Sequence, residues 1–105
     1  MSIQEAYLKM YNILDDYYQR EVESDSLGSL LSDMDTNIFA DKRPADSATY
    51  NDWYNCVSSY IENGEIGEKN IIRALKDFLT YYQQEFGYQL ADVIDFLHSK
   101  DLPNN

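Results

Sequence analysis

The chain predicts an all-α fold, a small antiparallel bundle of about five helices, two of them short. Three observations carry that prediction. Apolar residues recur at three- and four-residue spacing through most of the 105 positions. Helix-start and helix-stop residues, among them Ser2, Ser47, Gly64 and Gly87, bracket the periodic stretches. No stretch shows a clean strand alternation between hairpin signals. The length predicts one domain, residues 1–105, with a frayed tail at 100–105. A hydrophobic content of 44% is near the globular average and argues against intrinsic disorder.

The first helix is expected from Ile3 to Glu23. Ser2 caps it, with Glu5 placed to complete a capping box. Ile3, Tyr7, Met10, Leu14 and Tyr17 form its apolar stripe, edged by Tyr11 and Tyr18, whose hydroxyls can stay wet while their rings are covered. Ser24–Asp25–Ser26 breaks and recaps the chain. A short helix follows over Leu27–Met34, with Leu27, Leu30, Leu31 and Met34 on one face. Gly28 is a poor interior helix residue, and close packing on the first helix would explain it. Asp35–Ala45 reads as a loop halted by Pro44 and pinned by Ile38 and Phe39. Asp46 or Ser47 caps a third helix running to about Asn63, with Tyr50, Trp53, Val57, Tyr60 and Ile61 inward and Tyr54 at the edge. Asn63–Gly64 is expected as its stop and Glu65–Ile66–Gly67 as a turn. The fourth helix starts at Glu68, and its stripe is Ile71, Ile72, Leu75, Phe78, Leu79, Tyr82 and Phe86, with Tyr81 off the stripe. Gly87 ends it, and a last helix over Tyr88–Ser99 carries Leu90, Val93, Ile94 and Leu97.

Acidic residues outnumber basic ones 19 to 8, for a net charge of −11. That balance repels nucleic acid and anionic membranes and favours a basic protein partner. Cys56 is the single cysteine, so no intrachain disulfide can form. No secretory leader pattern opens the chain, and no apolar run approaches the ~20 residues of a membrane span; a reducing cytoplasm is the expected home. Asp33-x-Asp35-x-Asn37 with Asp41 imitates the first half of a calcium-binding loop. Its sixth position is Ile38 where glycine makes the turn, and its twelfth is Pro44 where a glutamate closes the shell, so no metal or cofactor is expected there. His98 and Cys56 lie on different helices without paired ligand spacing. No nucleophile–base set or phosphate loop can be assembled, and an enzyme is not expected.

The remaining signal is surface. Asp33, Asp35, Asp41, Asp46 and Asp52 cluster in sequence beside Tyr50 and Tyr54, and these seven are the expected partner-binding residues. Carboxylates would steer a basic surface while rings supply rigid contact area. Trp53 is expected in the core. Glu62, Glu65 and Glu68 surround the turn between the third and fourth helices, and they make a second acidic region if that turn lies at the opposite end of the third helix.

The runs LGSLLSDM (Leu27–Met34) and PADSATYNDW (Pro44–Trp53), with the amphipathic opening EAYLKMYNILDDYY (Glu5–Tyr18), make the first half of the chain resemble small helical immunity proteins of bacterial contact-dependent growth inhibition and related polymorphic toxin systems. The resemblance implies a cytoplasmic antidote that blocks one cognate toxin domain. Many such toxins are nucleases, whose basic clefts an acidic inhibitor would cover with charges standing in for phosphates. It transfers no binding motif, so the residues named above rest on charge and position. Two other classes stay open: a helical adaptor or regulatory homodimer using the tyrosine-edged faces, and a divalent-metal module at the Asp33–Asp41 loop. The oligomeric state is not fixed by the residues.

Overall fold

The structure, a computed structural model, describes residues 1–20, 25–34 and 47–101. Among them are five α-helices: α1 (Ile3–Arg20), α2 (Asp25–Asp33), α3 (Ser47–Val57), α4 (Ile71–Phe86) and α5 (Ala91–Asp101). A hairpin of β1 (Ile61–Glu62) and β2 (Glu65–Ile66) joins α3 to α4. The all-α prediction holds, with this two-stranded sheet as an addition. The expected end of the first helix at 21–23, the recap at Ser24 and the loop at 35–45 lie outside the described residues.

The capping box forms as expected. Ser2 Oγ accepts the Glu5 N–H at 3.1 Å, and Glu5 Oε1 accepts the Ser2 N–H at 2.9 Å. These bonds, the one from the Ser2 backbone first, hold the Glu5 carboxyl below its ordinary pKa. From this start α1 buries Ala6, Tyr7, Met10, Leu14 and Tyr17, while Tyr11 and Tyr18 sit half-buried at the stripe's margin.

Trp53 is fully buried, as expected. Its ring meets Tyr7 edge-on at 4.9 Å, and its indole N–H donates to Met10 Sδ at 3.0 Å. The Tyr7 hydroxyl donates to the Met34 carbonyl at 2.9 Å, which ties the end of α2 to α1. Each large ring therefore enters the core with its polar atom satisfied. Gly28 explains how α2 lies so close: a Cβ there would stand 3.1 Å from Tyr18 Oη and 3.3 Å from Tyr18 Cε1. The close packing against the first helix is present, and it is made by a tyrosine of the stripe's edge.

The third helix is shorter than expected. It stops at Val57, and a 3₁₀ turn over Ser58–Tyr60 leads into the hairpin. Ile61 pairs with Ile66 and Glu62 with Glu65. Asn63 (φ 54°) and Gly64 (φ 77°) both take the left-handed backbone of a two-residue hairpin turn, for which Asn-Gly is the favoured pair. Asn63–Gly64 is thus a β-turn and not a helix stop, and Glu65–Ile66 is strand. The hairpin is held from outside. The Ile66 N–H donates to the Met1 carbonyl at 2.9 Å, the Met1 ammonium donates to the Ile66 carbonyl at 3.0 Å, and Ser2 bridges to Glu65. With this third segment alongside, Ile66 is fully buried.

A 3₁₀ turn over Glu68–Asn70 precedes α4, which begins at Ile71 and not at Glu68. Ile71, Ala74, Leu75, Phe78, Leu79 and Tyr82 are its buried face. Gly87 (φ 72°) ends it in the left-handed conformation, its N–H donating to the Gln83 carbonyl at 3.2 Å. Phe86, expected on the stripe, is 54% exposed, because the chain turns away one residue later. Gln83 Oε1 accepts the Leu90 N–H at 3.1 Å, and Ser26 Oγ accepts the Gln89 N–H at 3.0 Å, so the connection to α5 is tied to α4 and α2. α5 continues through Asp101, so residues 100 and 101 are helical where a frayed tail was expected.

Candidate interaction surface

Three of the seven expected partner-binding residues, Asp35, Asp41 and Asp46, lie outside the described residues, as does most of the calcium-loop imitation. Asp33 closes α2 and is half-buried. Tyr50, Asp52 and Tyr54 are on α3, where a rotation of about 100° per residue sets 50 and 54 on one flank and 52 and 56 on another. Tyr50 lies against Tyr7 at 5.3 Å, Trp53 at 5.6 Å and Tyr54 at 6.5 Å. Burial raises its phenol pKa, and Tyr54 adds to the effect. Tyr50 is therefore part of the core's edge, while Tyr54, 42% exposed, offers a free ring face. Asp52 turns toward α4 and accepts the Tyr82 hydroxyl at 3.0 Å. The structure does not bring Asp52 and Tyr54 into one patch.

What Asp52 does join is a seam between α3 and α4. Cys56 follows it one turn on; burial first, then Asp52 and Asp77, push its thiol up to about 11. Asp77 accepts the Tyr60 hydroxyl at 2.6 Å. Tyr81, one turn along α4 from Asp77, has its phenol raised by loss of solvent first, then by Asp52, Glu85 and Cys56. At the far end Phe86 stands edge-on to Tyr82 at 4.8 Å and to Tyr81 at 6.0 Å, and Tyr88 meets Tyr82 at 5.5 Å. Three carboxylates, Asp52, Asp77 and Glu85, thus line a track with the rings of Tyr60, Tyr81 and Phe86, and none of these side chains is cationic.

Sequence reasoning missed Tyr60, Asp77, Tyr81, Glu85 and Phe86. The row Asp77–Tyr81–Glu85 at four-residue spacing was readable on the fourth helix. That this row faces Asp52 is a product of how α3 packs on α4, and no local pattern carries it.

The chemistry of the seam is acceptance and contact. A thiol with so high a pKa is a poor nucleophile near neutral pH. Among the described residues no group of three His, Cys, Asp or Glu side chains could hold a metal ion. His98 is exposed in the last turn of α5, remote in sequence from Cys56 on α3. No described helix is long and apolar enough to cross a membrane. Comparison of the chain with family models, curated proteins and solved structures finds no match.

Proposed function

We propose that this protein is a non-enzymatic inhibitor of the immunity type, which binds and neutralises a cognate bacterial toxin domain, a nuclease, in the cytoplasm. The observation that supports it best is the α3–α4 seam. Its carboxylates, set among exposed and half-exposed rings, suit a basic cleft made for a phosphate backbone. The net charge of −11 adds long-range attraction for such a partner. The resemblance of the first half of the chain to helical immunity proteins points the same way.

The test has two stages. Immobilised protein is first used to capture a stoichiometric basic partner from the source cells at moderate salt, and the partner is assayed for nuclease activity. The variant Asp52→Asn/Asp77→Lys/Glu85→Lys is then compared with the parent. Association at low salt should slow about tenfold or more, with the difference shrinking as salt screens the charges. Phe86→Ala should act on dissociation instead. Unchanged affinity in the charge variant, with the helical circular dichroism intact, would remove the seam from the interface. A protein that captures no such partner, and instead forms a stable dimer on sedimentation, would favour the adaptor reading.

A further inference from the structure

The acidic surface is interrupted where α1 and α5 end. A cleft of about 450 Å³ opens there between α1, α4 and α5. That volume is within the ~300–1,000 Å³ range of small-molecule sites. Its floor is apolar: Ile13 and Tyr17 from α1, Ile72 from α4 and Phe96 from α5, with the Tyr17 and Phe96 rings 4.8 Å apart. Its rim holds Arg20, Lys100 and Asp16. Lys100 Nζ lies 5.0 Å from the centre of the Phe96 ring, so the ammonium overhangs the apolar floor.

Both cations sit in the last turn of a helix, where the helix dipole favours positive charge. The dipole accounts for a cation at each helix end. It does not account for both of them bordering one apolar hollow in a chain that carries so few cations. Arg20 and Lys100 line the hollow together with the carboxylate of Asp16. Cations beside an apolar floor suit an anion that carries an alkyl chain better than an inorganic phosphate, which would leave the floor uncovered.

We infer that this cleft binds a small amphipathic monocarboxylate, of which a medium-chain fatty acid is the simplest form. The alkyl chain lies on Ile13, Tyr17, Ile72 and Phe96, and the carboxylate sits between Arg20 and Lys100. The site is separate from the α3–α4 seam and stands or falls independently of the toxin-binding reading.

The experiment titrates the full chain with octanoate and with 1-octanol, its uncharged analogue, each kept monomeric, and follows methyl resonances by NMR. Saturable shifts are expected at Ile13 and Ile72, with octanoate binding about tenfold more tightly than octanol, the scale of one charge-assisted contact. In the Arg20→Gln/Lys100→Gln variant that preference should vanish while octanol binding persists. Ile72→Trp, which fills the hollow, should abolish binding of both. Three results would overturn the inference: no saturable shift at Ile13 and Ile72, equal binding of octanoate and octanol, or a preference that survives in the double variant. A lower melting temperature of the double variant with the octanoate preference intact would assign the cations to the helix ends alone.

Discussion

Cys56 stands among carboxylates that the linear chain keeps apart, Asp52 one turn before it and Asp77 on α4. Its thiol is raised to about 11 by burial first and by these two charges next. The sign of the consequence is fixed. In the unfolded chain the thiol ionises near its ordinary value of 9.0, so the unfolded state loses its proton first as pH rises. The stabilisation that Cys56 lends by staying protonated is complete below pH 9 and is lost as pH climbs through about 11. The reactivity follows the same course. Alkylation by iodoacetamide at about pH 7.5 should be roughly a hundredfold slower in the folded protein than in urea, since two pKa units separate the thiolate fractions. Asp52→Asn, which keeps an acceptor for the Tyr82 hydroxyl, should lower the thiol pKa and speed the folded-state reaction. Equal rates in parent and Asp52→Asn across pH 8–11 would show that the carboxylate does not act on the sulfur, and the seam's geometry would need revision. The sequence alone could place Cys56 beside an apolar stripe. It could not place Asp77 near it, because that proximity depends on the rotation of α4 against α3.

Between residue and molecule, the hairpin shows what a local pattern can and cannot decide. Helix starts and stops were legible wherever one residue's chemistry fixes them: the Ser2–Glu5 box, the left-handed Gly87, and the tight place made by Gly28. The end of α3 was not. Val57, Tyr60 and Ile61 satisfy helical spacing as well as they satisfy a turn followed by a strand, and each strand has only two residues, too few for alternation to register. Asn-Gly also serves both outcomes, as a helix stop and as a hairpin turn. The deciding contacts come from Met1 and Ser2, distant from the hairpin in sequence. Gly64 offers a test. Nothing lies within 4 Å of a Cβ built there, so its φ of +77° is the only obstacle to a side chain. Gly64→Ala should cost about 1–2 kcal/mol in urea unfolding, the penalty of the left-handed region, while Gly64→Asn should cost less because asparagine tolerates it. An alanine as stable as the parent would mean that the turn does not hold these dihedrals in solution.

At the scale of the whole molecule the charge governs both stability and encounter. With 19 acidic residues and 8 basic ones, pairing every cation would still leave 11 carboxylates in excess. The radius of gyration is 13.2 Å. At about 0.01 M salt the screening length of ~30 Å exceeds that radius, so the excess charges repel one another across the entire fold; at about 0.1 M the length falls to ~10 Å and only neighbours interact. Unfolding relieves the repulsion, which makes it a destabilising term that salt removes. The melting temperature at neutral pH should therefore rise between about 10 mM and 300 mM sodium chloride, by roughly 4–8 °C for each kcal/mol of repulsion screened in a domain near this size. A melting temperature that falls with salt would mean that favourable surface pairs outweigh the excess charge. The same screening weakens the pull on a basic partner. Stability and association rate should thus move in opposite directions along one salt series. An association rate indifferent to salt, measured on the same samples whose melting temperature rises, would separate the two and leave the −11 as a property of the fold alone.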